Sequence, residues 1–521
     1  MTSRPTTPLT RLDWGIASAI GLLTLAWYVR TLAPSLLWGD SAEFQTLAYT
    51  LGMTHPSGYM THLILGKLFT LIPIGHIAWR VNLMSAVFGA LGVAGVYLIG
   101  RLLHGRPVAL IAASATMALS EGYWWRALIA ESYAVAAGFI AAIWLLVLLW
   151  ERSRRWPYLS LAGWLGGLSV GIHSTIVMTA VPVLVYLAIA TRRRRDWVAA
   201  GLGALLGLAC TLAAFVYVDA NDPPSSIYNT LYRPSLSESG LTEEQFDSPL
   251  ERLMMIFPAN RFWTYYFSAP PAEIQARLLE FLRIFLLWAV ILIGIGVAAI
   301  VRRAGLREGM YPLLGFGLIW GLAATVSFSI YREFYVPAMV FLAVWLGAGG
   351  SAVLEGVERR FGQNPAAGPA LRRTVLGAVG LLLIGLPLWE ARSDLASSIF
   401  KGYPEFVRRH HVYPVFAPDK AIQNARQVLK KLEPKAILFT EWDTLYSLVY
   451  TAQVEGMRPD VRLHAAFVNE RYRVADSALA YIDSQIEERA VYFTVLTPEL
   501  SERYRIEQID ERLFRLYPRS P

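Results

Sequence analysis

Two carboxylates and an imidazole lie close together near the start of the chain, in Trp38-Gly39-Asp40-Ser41-Ala42-Glu43 and His55-Pro56-Ser57-Gly58-Tyr59. A carboxylate at such a place can take the proton of an incoming hydroxyl. Asp40 is the stronger candidate base, because it follows Trp-Gly at a membrane exit where Asn or Ser would cap a helix equally well. Glu43 can serve the same centre, or reach back to a cap if a helix begins at Ser41. His55 and Tyr59 flank a Pro-Ser-Gly turn beside these acids. Three arginines, Arg80, Arg126 and Arg332, are candidates to hold a phosphate through charge-assisted hydrogen bonds. Each can instead snorkel to headgroups or pair with an acid such as Glu131 or Glu333. Glu131 and His173 complete the set.

The elements that must position these residues are apolar. Of 521 residues 55% are hydrophobic and only 17% charged, well below the roughly 25% charged of a soluble domain. Apolar runs of about 18–25 residues recur, each long enough to cross a bilayer. They divide into about eleven spans: 14–33, 79–102, 108–120, 127–150, two within 157–190, 197–218, 278–301, 312–330, 335–354 and 375–389. Between 41 and 73, two amphipathic pieces, 41–51 and 58–71, read as interfacial helices. Arginines cluster after alternate spans: Arg101 and Arg106; Arg152, Arg154 and Arg155; Arg192 to Arg195; Arg302, Arg303 and Arg307; Arg359, Arg360, Arg372 and Arg373. By the positive-inside bias these segments and the N-terminus are cytoplasmic, which puts the candidate residues and the C-terminus outside. The net charge of +8 is therefore orientation charge, and no nucleic-acid surface is expected.

Residues 1–394 thus form a transmembrane domain, and 395–521 a small C-terminal α/β domain on the outer side. In the tail, 419–432 and 477–488 read as helices and 436–440 and 491–496 as buried strands. Its acids Glu441 and Asp443 lack a nucleophile, metal cluster or phosphate loop beside them, so the tail reads as a structural cap. The chain has one cysteine, which excludes an internal disulfide and leaves a cysteine metal site unsupported. P-loop, GxSxG, HExxH and paired CxxC motifs are absent.

Several motifs resemble one family, the transmembrane-protein-260-type protein O-mannosyltransferases of the GT-C superfamily, which has bacterial members. They are Trp38-Gly-Asp-Ser-Ala-Glu43, Leu51-Gly-Met-Thr-His-Pro-Ser-Gly-Tyr59, Ala78-Trp-Arg-Val-Asn82 with Ser85-Ala86, Ala130-Glu-Ser-Tyr133 and Gly167-Leu-Ser-Val-Gly-Ile-His173. In the tail, Leu438-Phe-Thr-Glu-Trp-Asp-Thr444 and Gln453-Val-Glu-Gly-Met-Arg-Pro-Asp-Val461 look like the family's C-terminal pattern. Residues 219–276 match poorly, and His-Pro-Ser-Gly stands for the commoner His-Pro-Pro-Gly.

The resemblance implies a GT-C-like bundle in a bacterial inner membrane with a periplasmic active site. It implies transfer of a sugar, mannose by family likeness, from a polyprenyl-phosphate donor to a Ser or Thr hydroxyl of an exported protein. The first outer loop of such enzymes holds the acidic base, and Asp40 is the matching position. Attack is in line and inverting, and a cation steadies the departing phosphate. That leaving group is already a stabilised anion, so an arginine can substitute for a metal; neither metal nor other cofactor is expected. One alternative is a GT-C transferase acting on a lipid or polysaccharide. A lipid-linked sugar transporter or flippase is the other, disfavoured because no internal repeat is visible and the polar residues gather at one surface.

Overall fold

A computed structural model describes residues 8–519 apart from 240, 243, 245, 258–263, 285–286, 328–331, 364–367 and 468–472. Helix α1 (Arg11–Arg30) leads into a short pair, α2 (Gly39–Thr50) and α3 (Met60–Thr70). Then come α4 (Ile77–Leu102), α5 (Pro107–Leu119), α6 (Glu121–Ala127), α7 (Ser132–Ser153), α8 (Trp156–Ser169), α9 (Ser174–Val177), α10 (Ala180–Ala190) and α11 (Arg194–Asn221). After an irregular connection follow α12 (Pro249–Ile256), α13 (Pro271–Ile284), α14 (Leu287–Arg303), α15 (Leu306–Thr325), α16 (Met339–Gly362) and α17 (Pro369–Glu390). Helices stand at the predicted spans, but the eighth, 278–301, falls across α13 and α14 and its residues 285–286 lie outside the described residues; the apolar run 157–190 is divided at 170–173 as its glycine and histidine suggested. The end of the ninth predicted span, 328–330, lies outside the described residues. Among the described helices, 6 are long and apolar enough to cross a membrane; the remaining spans fall short of that length or apolarity.

Helices α4, α7 and α16 form the buried centre, and α1, α11 and α17 lie at the periphery. In lipid, helix association rests on close packing, which favours small residues at the seams. Gly163 and Gly167 of α8 meet Gly203 and Gly207 of α11, and a β-carbon on Gly203 would stand 2.0 Å from the Ser160 carbonyl oxygen. The same device joins α14 to α16, where β-carbons on Gly296 and Gly349 would lie 1.8 Å and 1.9 Å from backbone oxygens.

The arginine-rich end of the bundle is closed by ion pairs. Asp13, which completes the capping box of α1 with Thr10, also accepts from Arg101 of α4 at 2.6 Å. Arg307 bridges Glu151 of α7 and Glu308 of α15, and Arg303 reaches Glu355 of α16. Charges at such depth persist because they are paired.

At the opposite end, α18 (Arg392–Lys401) and α19 (Glu405–Arg409) pack on the bundle. Phe406 and Val407 enter its core, and the Tyr413 hydroxyl donates to the Thr31 carbonyl at 2.7 Å. Beyond them lies the α/β unit: α20 (Lys420–Lys431), β1 (Ile437–Thr440), α21 (Trp442–Val449), β2 (Arg462–Ala465), α22 (Asp476–Gln485), β3 (Val491–Phe493), α23 (Pro498–Arg503), β4 (Tyr504–Asp510) and β5 (Leu513–Pro518). The sheet order is β2-β1-β3-β5-β4, with β2, β1 and β3 parallel and β5 antiparallel to its two neighbours. Both predicted tail strands and both helices are present; β2 and the β4–β5 hairpin were not anticipated from local pattern.

One face of this sheet is buried with α22 through Ile437, Phe439, Val491, Phe493 and Ile482. The other belongs to a cluster that runs without a break into the first loop, joining Leu438, Leu445, Tyr446 and Val449 to Phe44, Leu47, Met53 and Met60. Helix α2 is consequently buried along Ser41–Ala48. Its sequence suggests a helix lying half in the headgroups; the C-terminal domain covers the face that would otherwise meet water.

Candidate active site at the first loop

The loop after α1 is held by a buried amide relay. Gln45 accepts from the Leu37 N–H at 3.0 Å and donates to Asn82 Oδ1 at 2.8 Å, while Asn82 donates to the Ala33 carbonyl at 2.9 Å. These three bonds tie the chain from 33 to 37 to both α2 and α4. Gly39 then turns it at φ +57°, a left-handed conformation that glycine adopts without cost. Helix α2 starts there, and no side chain caps it. The capping arrangement expected of Asp40 and Glu43 is therefore not formed, because both carboxylates are engaged elsewhere.

Asp40 Oδ1 accepts a hydrogen bond from the indole N–H of Trp442 at 2.9 Å. Glu43, one turn along, is fully buried and receives the backbone N–H of His55 at 2.7 Å and its ring Nδ1 at 2.5 Å. Ligand-type atoms of Asp40, Glu43 and His55 all lie within 4.8 Å of one another. Burial acts to lower the His55 pKa, but the charges of Glu43 and Asp40 outweigh it and raise the imidazole to about 9. Burial raises Glu43, and His55 opposes that rise. At neutral pH His55 is thus an imidazolium held against Glu43, a positive charge beside the Asp40 carboxylate.

Aromatic rings line the site. His55 lies 5.0 Å from Tyr59 and 6.1 Å, edge to face, from Trp442, and Phe44 closes on Tyr59 at 5.0 Å. Tyr59 continues to His173 at 6.0 Å, which packs against Tyr133 and Phe334. His173 is buried in the break between α8 and α9, where its Nδ1 accepts the Thr175 N–H at 3.2 Å. Glu131, at the start of α7, takes the Ser41 hydroxyl at 3.3 Å and so stands directly behind Asp40.

The three arginines separate. Arg126 is paired with Glu333 and lies over the Trp125 ring at 4.3 Å; Glu333 adjoins Phe334, which packs on His173 at 5.3 Å and so sets Arg126 at the margin of the site. Arg332 is exposed at the start of the short turn Glu333–Ala338 that leads into α16. Arg80 is committed to the backbone: its guanidinium donates to the carbonyls of Thr70, Ile74 and Gly75 at 2.7 to 3.2 Å. That engagement fastens the connection between α3 and α4.

Asp40, Glu43 and His55 form the one group of three potential metal-ligating residues found among the described residues. The donor types suit a divalent cation. Both Glu43 oxygens and Asp40 Oδ1, however, already accept N–H donors, so a cation would have to displace them. Three residues that hold the site were not anticipated from sequence: Gln45, Asn82 and Trp442. Asn82 and Trp442 sit inside quoted motifs, but nothing in their local spacing assigns a partner.

The bundle with its loop-end acids and C-terminal sheet has an ArnT-like GT-C fold. Crystal structures of ArnT from Cupriavidus metallidurans, apo and bound to undecaprenyl phosphate, superpose with a TM-score of 0.57 at 14% identity, covering 97% of this chain and 98% of theirs. Residues 40–197 match the N-terminal domain of the protein O-mannosyl-transferase TMEM260 family, the stretch that holds the motifs between Asp40 and His173. The mouse protein O-mannosyl-transferase TMEM260 is 28% identical over 208 residues, 39% of this chain and 29% of its own length. Its Dictyostelium discoideum counterpart is 34% identical over 74 residues, 14% of this chain and 9% of that relative. The matches therefore span less than a third of either relative.

Proposed function

We propose that the protein is an inverting glycosyltransferase that moves a sugar, mannose by family likeness, from a polyprenyl-phosphate donor to a Ser or Thr hydroxyl of an exported protein. The observation that carries this reading is Asp40, an acid at the loop end of an apolar bundle, one oxygen held by the Trp442 N–H and the His55 imidazole close by. Asp40 takes the proton of the acceptor hydroxyl as its oxygen attacks the anomeric carbon. The bond from that carbon to the phosphate oxygen breaks, and polyprenyl phosphate departs with the electron pair. His55 and Arg126, with Arg332 near the margin, supply positive charge for the departing phosphate. Glu43 acts through His55, keeping it protonated and fixed, and needs no direct part in the chemistry. Tyr59 and His173 shape the wall, and Glu131 supports Ser41 behind Asp40.

The step is read as metal-free, since the positive charge it requires is present on side chains. The arginine pattern supports a placement of the loop end and the C-terminal domain on the outer side, the periplasm if the membrane is a bacterial inner one as the family likeness implies. The test is transfer from polyprenyl-phosphate mannose to Ser/Thr peptides by the purified protein. Asp40→Asn should lower kcat by about 10²–10⁴-fold, the usual worth of a general base. Wild-type rates in that variant would dismiss Asp40 as base. Transfer to a glycolipid but to no peptide would move the acceptor to the lipid class, and lipid movement across vesicles without transfer would indicate a flippase.

A further inference from the structure

The α/β domain reaches into the site described above. Trp442 is the first residue of α21, immediately past the end of β1, and its indole meets Asp40 across 402 positions of sequence. The contact is built into the packing. Leu445, Tyr446, Leu448 and Val449 of the same helix are buried in the cluster that holds Phe44, Leu47 and Ala48 of α2. The Thr46 hydroxyl contacts the Tyr446 carbonyl at 3.3 Å, and the Tyr446 hydroxyl meets Thr230 at 3.3 Å. Trp442 itself is braced edge to face by Tyr446 at 5.4 Å and by His55 at 6.1 Å. Gly39, next to Asp40, also faces this helix: a β-carbon there would stand 3.7 Å from Asp443 Oδ1.

An indole N–H can only donate. It cannot exchange roles with the carboxylate or take its proton, so its effect on Asp40 is to fix one oxygen and with it the plane of the group. We propose that Trp442 is a positioning residue of the active site, supplied by the C-terminal domain, and that this domain is a wall of the catalytic centre instead of a cap. This rests on Asp40 being the general base. A base must meet the hydroxyl within hydrogen-bond reach, and a misplacement of about 1 Å is worth roughly 10²-fold in rate.

The test uses the full chain with Trp442→Phe, which keeps an aromatic ring and deletes the donor, and a benzothienylalanine replacement at 442, which keeps the indole's shape without its N–H. Both should lower kcat by about 10- to 100-fold while leaving the KM for the lipid-linked donor within about twofold and the thermal midpoint unchanged. Trp442→His, which can restore a ring N–H, should recover part of the loss. Full activity in the benzothienylalanine protein, with Asp40→Asn inactive, would overturn the positioning role and leave the base assignment standing. A loss that follows the thermal midpoint and is not rescued by Trp442→His would reduce Trp442 to packing and equally overturn it. Wild-type activity in Asp40→Asn would remove the base reading, and this proposal with it.

Discussion

Glu43 and His55 decide the charge around Asp40 more than either does by itself. A buried carboxylate without a partner is strongly disfavoured, and Glu43 avoids that state by accepting twice from one histidine. Removing one partner of such a pair strands the other, so Glu43→Gln should cost activity even though Glu43 does not touch substrate in our reading. The imidazole of His55 is raised from an ordinary 6.5 to about 9, with the charges of Glu43 and Asp40 outweighing its burial. A group whose folded pKa lies above its unfolded value contributes stability that is complete below the unfolded pKa and lost as pH rises through the folded one. The pair should therefore hold fully below pH 6.5 and give up about 3 kcal/mol as pH rises through about 9. Thermal unfolding between pH 6 and 10 checks this, and His55→Gln should flatten the alkaline loss. A midpoint that falls equally in both proteins would mean another group is responsible.

Helix α2 carries the site but has little to fix it from within: it has no side-chain cap and its first residue is a glycine. Its position comes from neighbours, through the amide relay on one side and α21 on the other. Asn82 is the joint of that relay, bonded to both Gln45 and the Ala33 carbonyl inside a fully buried setting. Asn82→Ala leaves a donor and an acceptor unsatisfied there. Each such orphan costs about 1–3 kcal/mol, so the detergent-solubilised variant should unfold several degrees earlier and transfer sugar more slowly. An unchanged midpoint would show that the loop between α1 and α2 is held by something else. The polarity of α2 gave the wrong impression of its surroundings, because helix periodicity reports which faces are apolar and not which element will cover the rest.

As a whole the molecule is polarised, with arginine-acid pairs closing one end and the acids, imidazoles and the α/β domain gathered at the other. If the arginine end is cytoplasmic, a phosphatase fused after Pro521 should be active in intact bacteria and one fused before Met1 should not. The opposite result would invert the bundle and place the site inside. The continuous apolar cluster from α2 to the C-terminal sheet also makes the two parts one packed body at that end. Burial of side chains such as Phe44, Leu47, Tyr446 and Val449 between them is the dominant favourable term that fastens the domain over the loop.

By itself the sequence determined where apolar helices stand, the break near His173, the strands β1 and β3 with the helices α20 and α22 of the tail, and the gathering of Asp40, Glu43 and His55 in one short stretch. All of these rest on local signals: apolar run length, turn residues, charge clusters and a short motif. The tertiary structure decided the partnerships. It turned Glu43 from a cap toward His55, spent Arg80 on carbonyls, set Arg126 against Glu333, joined Gln45 to Asn82 and brought Trp442 to Asp40. A hydrogen bond between residues far apart leaves no periodicity at either end, since many polar residues at each position could form it. Only the packing of α21 against α2 selects which donor arrives at the carboxylate.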